Sequence, residues 1–289
     1  MYPLTHTAKA ISLSLMTNYL SIRTIDGERK LAFDDTGSGP LVIAMTGMGD
    51  VREQYRFLRR DLVAAGHRVV TVDARGFGDS SPEWPEFTRE AIAGDYLALI
   101  RELNGGPATL VASSYVGGAA TLASVLEPAL VTGIVLLGGF IREEPPTMAS
   151  RMLKKFMASP LARGMWPGYY KSLYTSAKPA DLDDHIAAIR QNLKETGRWR
   201  ALGRMILSDN TASDARIVEV SRPTLVVVGS KDPDFKNPAS EIAYAREAIK
   251  GAMDGLLVDG AGHYPHAEVP NAVSPRVIEF IEQTCPAKA

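Results

Sequence analysis

Cysteine is almost missing from this chain. Its 289 residues include one, Cys285, so no internal disulfide can form, and a reducing compartment, the cytoplasm, is the expectation. Lying near the C-terminal end, Cys285 is also badly placed for catalysis. An excess of charge of either sign is missing too. Lys and Arg number 32 against 33 Asp and Glu, a formal net charge of −1. They gather into no long basic stripe, which argues against nucleic acid or an anionic membrane surface as the main partner. The apolar run between Lys9 and Met16 is too short, and too interrupted by serine, to read as a secretory leader. From Gly105 to Leu126 no residue is charged, long enough to raise the question of a membrane span. Gly105-Gly106-Pro107, Ser113-Ser114 and Gly117-Gly118 punctuate that run, and Glu127-Pro128 ends it. A buried strand, a turn and a helix explain this punctuation better than a spanning helix does.

That same stretch organises the chain. Ala108 to Val111 reads as a buried strand and Gly117 to Leu126 as a buried helix. A serine between them sits on a very tight turn that lifts its hydroxyl above the sheet. The usual spelling is G-x-S-x-G, because small residues two before and two after let the turn close. Ser114 has Ala112 and Val116 at those places, with Gly117 one position late. Ser113 would have Val111 and Tyr115, a poorer fit on both sides, so Ser114 is the better nucleophile in an imperfect motif.

Around it, strands and helices alternate. Asn18 to Ile25 and Arg29 to Asp35 form an antiparallel hairpin, with Asp26-Gly27-Glu28 at the turn. Leu41 to Met45, Val69 to Val72, Val131 to Leu137, Thr224 to Val228 and Gly255 to Val258 read as strands. Gln54 to Ala65, Arg89 to Leu103, Pro238 to Ile249 and Val273 to Gln283 read as helices, with Asn237 able to cap the third of them. This alternation predicts a mainly parallel sheet flanked by helices. It stops near Phe140. From Glu143 to Ala215 the patterns are helical only, over Met148 to Ala158, Trp166 to Tyr174, Asp181 to Lys194 and Trp199 to Leu207. Pro145-Pro146, Pro160, Pro167 and Pro179 break them up. The expected organisation is a core domain of residues 1–142 and 216–289 with an inserted helical segment of residues 143–215.

Three further motifs follow strands. Asp73-Ala74-Arg75-Gly76-Phe77-Gly78-Asp79-Ser80 reads as a structural loop, since it does not match a phosphate-binding glycine fingerprint. Gly229-Ser230-Lys231-Asp232-Pro233-Asp234 carries an acid three residues after a glycine. Gly260-Ala261-Gly262-His263-Tyr264-Pro265-His266-Ala267-Glu268-Val269-Pro270 sits between the last strand and the last helix. With the serine turn, these resemble the α/β-hydrolase superfamily along nearly the whole chain outside the insertion.

The resemblance implies the α/β-hydrolase fold and a triad of Ser114, Asp232 and His263, in the superfamily's chain order. The chemistry needs these types: imidazole takes the serine proton near neutral pH, and the carboxylate holds the useful tautomer. The oxyanion donors would be the backbone N–H groups of Tyr115 and Met48, the latter in Thr46-Gly47-Met48-Gly49. Thr46 stands where most relatives have histidine. The insertion corresponds to the family's cap, whose Trp166, Tyr169 and Tyr170 would line an apolar substrate site, with His266 near its entrance. Met152, Phe156 and Met165 are further candidates for that lining. No metal or organic cofactor is implied. The expected function is hydrolysis of a small, apolar carboxylic ester. Carbon–carbon bond, lactone or thioester hydrolysis and cofactor-free perhydrolysis on the same triad are the alternatives. A catalytically silent ligand-binding receptor is the alternative of another class.

Overall fold

Burial of the central strands on both faces decides the architecture. A computed structural model describes residues 16–143, 147–251 and 253–285. It contains eight strands: β1 (Asn18–Thr24), β2 (Gly27–Thr36), β3 (Leu41–Met45), β4 (Arg68–Val72), β5 (Ala108–Ser113), β6 (Val131–Leu137), β7 (Thr224–Gly229) and β8 (Met253–Val258). They form one sheet in the order β1-β2-β4-β3-β5-β6-β7-β8. The β1–β2 and β2–β4 pairs are antiparallel and every later pair is parallel. The central strands are apolar at nearly every position because both sheet faces are covered. Ile43, Met45, Val70, Leu110 and Leu136 enter one core, while Val42, Ala44, Val69, Val111 and Val135 enter the other. This is the two-residue period of a strand sorted onto two faces.

Eleven α-helices are described. Those outside the segment between β6 and β7 are α1 (Arg56–Ala64), α2 (Arg89–Leu103), α3 (Gly117–Leu126), α9 (Pro238–Ala248), α10 (Pro265–Glu268) and α11 (Pro270–Thr284). Apolar side chains of α2, α3 and α9 pack into the first core, and those of α1 and α11 into the second. Between β6 and β7 the described residues form helices and no strand. These are α4 (Met148–Ala158), α5 (Trp166–Ser172), α6 (Leu182–Lys194), α7 (Arg198–Ile206) and α8 (Thr211–Asp214).

Two local expectations are corrected. The hairpin turns at Ile25-Asp26, one residue early, and Gly27 opens β2 with φ +115°. Glycine is needed there at the first strand position rather than inside the turn. Asn237 stands at the N-cap of α9 but makes no side-chain capping bond; Pro238 at the first helical position has no N–H to satisfy. The expectations on residues 1–15 and on Pro145-Pro146 lie outside the described residues.

The topology fixes where chemistry can occur. β4 lies on one side of β3 and β5 on the other, so the loops that follow β3 and β5 diverge. In open α/β sheets, ligands bind at such a switch point, beyond the C-terminal strand ends. The loops after β3, β5, β6, β7 and β8 all leave from that edge.

Candidate active site

At the end of β5 the chain turns sharply, and Ser114 adopts φ +56°. This left-handed conformation is disfavoured for a residue with a Cβ, and such strain persists where the surroundings over-determine it. Here the surroundings are visible. The Ser114 carbonyl accepts from Phe140 N at 2.9 Å. Gly47 lies so close that an added Cβ would stand 2.9 Å from Ser114 Cβ and 3.6 Å from its Oγ. Gly117 closes the turn on the other side, since its Cβ would meet Gly139 Cα at 2.9 Å. The close approach usually made two residues after the serine is made here three residues after it, which leaves room for the buried Val116. Ser113 has a different fate. It is fully buried, and its Oγ accepts from Gln54 Nε2 at 3.0 Å.

His263 follows β8 and is buried. Its Nδ1 lies 2.8 Å from Asp232 Oδ2, and the other Asp232 oxygen accepts from Asp234 N at 3.0 Å. Glu143 is bonded instead to Lys154 and Asn210, so Asp232 is the acid that meets the histidine; Glu144 lies outside the described residues. His263 Nε2 is buried and has no hydrogen-bond partner among the described residues, Ser114 Oγ included, and Asp234 Oδ2 stands 3.8 Å from it. Ser114 and His263 flank one short segment. Phe140 N holds the serine carbonyl, the Phe140 ring lies 5.7 Å from the imidazole, and a Cβ on Gly138 would approach His263 Cε1 at 3.2 Å. Burial alone would lower the His263 pKa. The Asp232 carboxylate outweighs it, with Asp234 and Asp50 adding to the same effect, and the pKa stands at about 9.

A cavity of about 720 Å³ adjoins this site, lined by Met48, Tyr115, Phe140, Asp234 and Phe235 among others but not by Ser114 or His263. Both residues expected to supply the oxyanion donors therefore border one space. Thr46 anchors the first of their loops: its Oγ1 accepts from Ala74 N at 3.2 Å, and its own N–H donates to Val72 O. The Asp73–Ser80 loop is a tie. Asp73 accepts from the backbone N–H groups of Arg52 and Asp79 and from the Arg52 guanidinium. Arg75 binds the buried Asp95 through two nitrogens, at 2.7 and 2.6 Å.

None of the four expected substrate contacts is in the lining of this cavity, though Tyr169 reaches its wall through Asp234. Trp166 is buried against Gly49, and Tyr170, fully buried, gives its hydroxyl to Asp50 at 2.7 Å. The Tyr169 hydroxyl lies 2.9 and 2.8 Å from the two oxygens of Asp234. His266 belongs to α10 rather than to a loop. It is buried and stacked on Tyr55 at 5.4 Å, and burial pushes its pKa down to about 3. Met152 and Met165 are exposed. Amphipathic spacing marks a buried or interfacial residue but does not say which surface it meets. The apolar lining that sequence reasoning missed comes from Phe140, Phe235 and Ile206, two of them in loops without periodicity. Asp50, whose other oxygen lies 2.9 Å from His185 Nε2, left no local signal either.

Asp232, Asp234 and His263 bring one donor atom each within 4.8 Å of one another. The hydrogen bonds already formed engage both carboxylates and Nδ1.

The model of the alpha/beta hydrolase family matches residues 42–276. The chain belongs to this family. It is 31% identical over 283 residues to the sn-1-specific diacylglycerol lipase ABHD11 of Mus musculus, covering 91% of this chain and 85% of that protein. It is 27% identical over 240 residues to a 2-hydroxy-6-oxononadienedioate/2-hydroxy-6-oxononatrienedioate hydrolase of Cupriavidus pinatubonensis, covering 78% and 82%. Among solved structures, a thermophilic esterase from Thermogutta terrifontis superposes with a TM-score of 0.75 at 25% identity, covering 92% and 99%. An alpha/beta hydrolase that acts as a hydrolase is therefore the coarse reading of this chain.

Proposed function

We propose that this alpha/beta hydrolase is a serine hydrolase that cleaves a carboxylic ester of a small, apolar substrate through an acyl-enzyme. The observation that carries the reading is the strained Ser114 on its elbow and a His263–Asp232 pair joined at 2.8 Å, both packed against the segment Gly138–Phe140. Strain of this kind marks functional positions, and here it holds a hydroxyl at the edge where ligands bind.

In this reading Ser114 Oγ attacks the ester carbonyl while His263 Nε2 takes its proton. Asp232 keeps the remaining N–H on Nδ1 and balances the imidazolium. The oxyanion accepts from the N–H groups of Met48 and Tyr115, each able to contribute roughly 10²–10³ in rate. The imidazolium then protonates the leaving alcohol. Water, deprotonated by the same nitrogen, attacks the acyl-enzyme, and Ser114 recovers its proton as the acid departs.

Residues 143–215 act as the cap over this site. Their polar ties to the core support that assignment: Arg56 with Asp181, Gly78 with Asn192, and Arg89 with Asn210 and Asp214. Carbon–carbon cleavage is the second reading. It draws on the dioate named for the Cupriavidus relative; Arg142, at the cavity wall, is already paired with Glu241.

Turnover of a short activated ester by Ser114→Ala and Ser113→Ala tests the proposal. Loss in the first with activity kept in the second is expected. The reverse would move the nucleophile to Ser113.

A further inference from the structure

Balanced overall charge hides a strongly biased stretch. From Thr147 to Ala180 the chain has Arg151, Lys154, Lys155, Arg163, Lys171 and Lys178 and no carboxylate. The first helix in this stretch is α4, and its amphipathicity is turned outward. It has no buried residue. Met148, Met152 and Phe156 recur every four residues, with Leu153 beside them, and are 73%, 66%, 41% and 60% exposed. At 3.6 residues per turn, Ser150 and Lys154, which line the cavity, lie on the opposite side of the helix. Leu161 and Met165, 81% and 54% exposed, extend apolar exposure past the end of α4. The helix of a soluble domain ordinarily turns its apolar stripe to the core. An exposed apolar patch with a basic fringe is the composition of a helix that lies in the plane of a membrane interface.

We propose that α4 docks this protein reversibly on an anionic lipid surface, with Met148, Met152, Leu153 and Phe156 entering the acyl boundary and Arg151 and Lys155 meeting the headgroups. Charge selects this occupant over a second copy of the chain. Two such faces brought together would oppose cation to cation, whereas anionic headgroups complement them. Docking would set α4 between the lipid and the cavity, whose wall its other side forms through Ser150 and Lys154. The docking itself does not depend on which bond is cleaved.

Co-sedimentation of the full chain with phosphatidylglycerol-containing and pure phosphatidylcholine vesicles, at low and high salt, tests it. The protein should pellet with the anionic vesicles at low salt and be released at high salt, where charge is screened. Met152→Glu/Leu153→Glu should lower the bound fraction at least tenfold, and Arg151→Ser/Lys155→Ser should remove the preference for anionic lipid. Both variants should keep wild-type turnover of a water-soluble ester and wild-type melting temperature, which shows that folding and chemistry are intact. Failure to pellet with anionic vesicles at low salt would overturn the proposal. So would equal pelleting with both lipids, or a dimer abolished by Met152→Glu/Leu153→Glu without vesicle binding, which would assign the face to a second copy.

Discussion

Replacing Asp234 by Asn should lower the pH at which the enzyme becomes active. Asp234 Oδ2 lies 3.8 Å from His263 Nε2, the nitrogen that must be unprotonated to accept the serine proton. Unit charges at that distance interact by about 1 kcal/mol at the dielectric constant of water and about 4 kcal/mol at an effective value near 20. At about 1.36 kcal/mol per pKa unit, removing the charge is worth roughly one to three units. The Tyr169 hydroxyl, within hydrogen-bond reach of both Asp234 oxygens, already draws off part of that charge, so the lower end applies. Burial opposes protonation of His263, while Asp232, Asp234 and Asp50 favour it and hold the pKa at about 9. The other neighbours of the ring are Tyr264, Phe140 and Phe235, none of them charged at neutral pH, and His266 stays neutral. The acidic limb of kcat/KM should therefore fall from near pH 9 toward pH 8. Below the limb, the fraction of active base rises about tenfold per unit. The backbone N–H of residue 234 still holds Asp232, and an Asn oxygen still accepts from Tyr169, so the triad geometry should survive. Rates from pH 6 to 10, with an NMR titration of the His263 imidazole, measure the effect. An unmoved or raised limb together with an unmoved imidazole titration would refute the reasoning.

Asp232→Asn offers an amide donor to Nδ1 and favours the wrong tautomer; turnover at the pH plateau should drop by up to about 10⁴, while Glu143→Gln should be near wild type. Gly47→Ala would place a methyl 2.9 Å from Ser114 Cβ and should lower kcat far more than it lowers the melting temperature. Ile206→Ala or Phe235→Ala should change the preference among ester chain lengths, whereas Trp166→Ala and Tyr170→Phe should act mainly on thermal stability; equal losses across all esters for the first pair would contradict the cavity assignment. Arg75→Ala leaves the buried Asp95 carboxylate without its partner and should cost about 3–5 kcal/mol by denaturant unfolding.

Much of this was legible because periodicity and burial are local. β3, β6, α2 and α3 fall on the residues that their apolar patterns mark, and the chemical motifs each follow a strand, of which β8, before the histidine, is only partly buried. What stayed hidden is relational. The proximity of Gly47 to Ser114 arises where β3 and β5 lie side by side, which no spacing in the chain encodes. The aromatics of α5 were expected in a substrate site because Trp and Tyr suit one. Two of them seat the helical segment, Trp166 on Gly49 and Tyr170 on Asp50, contacts that no spacing announces. Phe140 and Phe235 reach the cavity from irregular loops, whose side-chain direction follows from tertiary contacts alone. The outward face of α4 was likewise obscured, because an amphipathic helix reads the same whether its stripe meets a core or an interface.

The proposed reaction depends on covalent chemistry at a single oxygen. Its most direct test is peptide mapping by mass spectrometry after reaction with a fluorophosphonate and, separately, after acid quench during turnover of an activated ester. Phosphonyl and acyl adducts should appear on Ser114, both absent in Ser114→Ala and both retained in Ser113→Ala. Adducts on Ser113, or hydrolysis with no adduct on either serine, would contradict it.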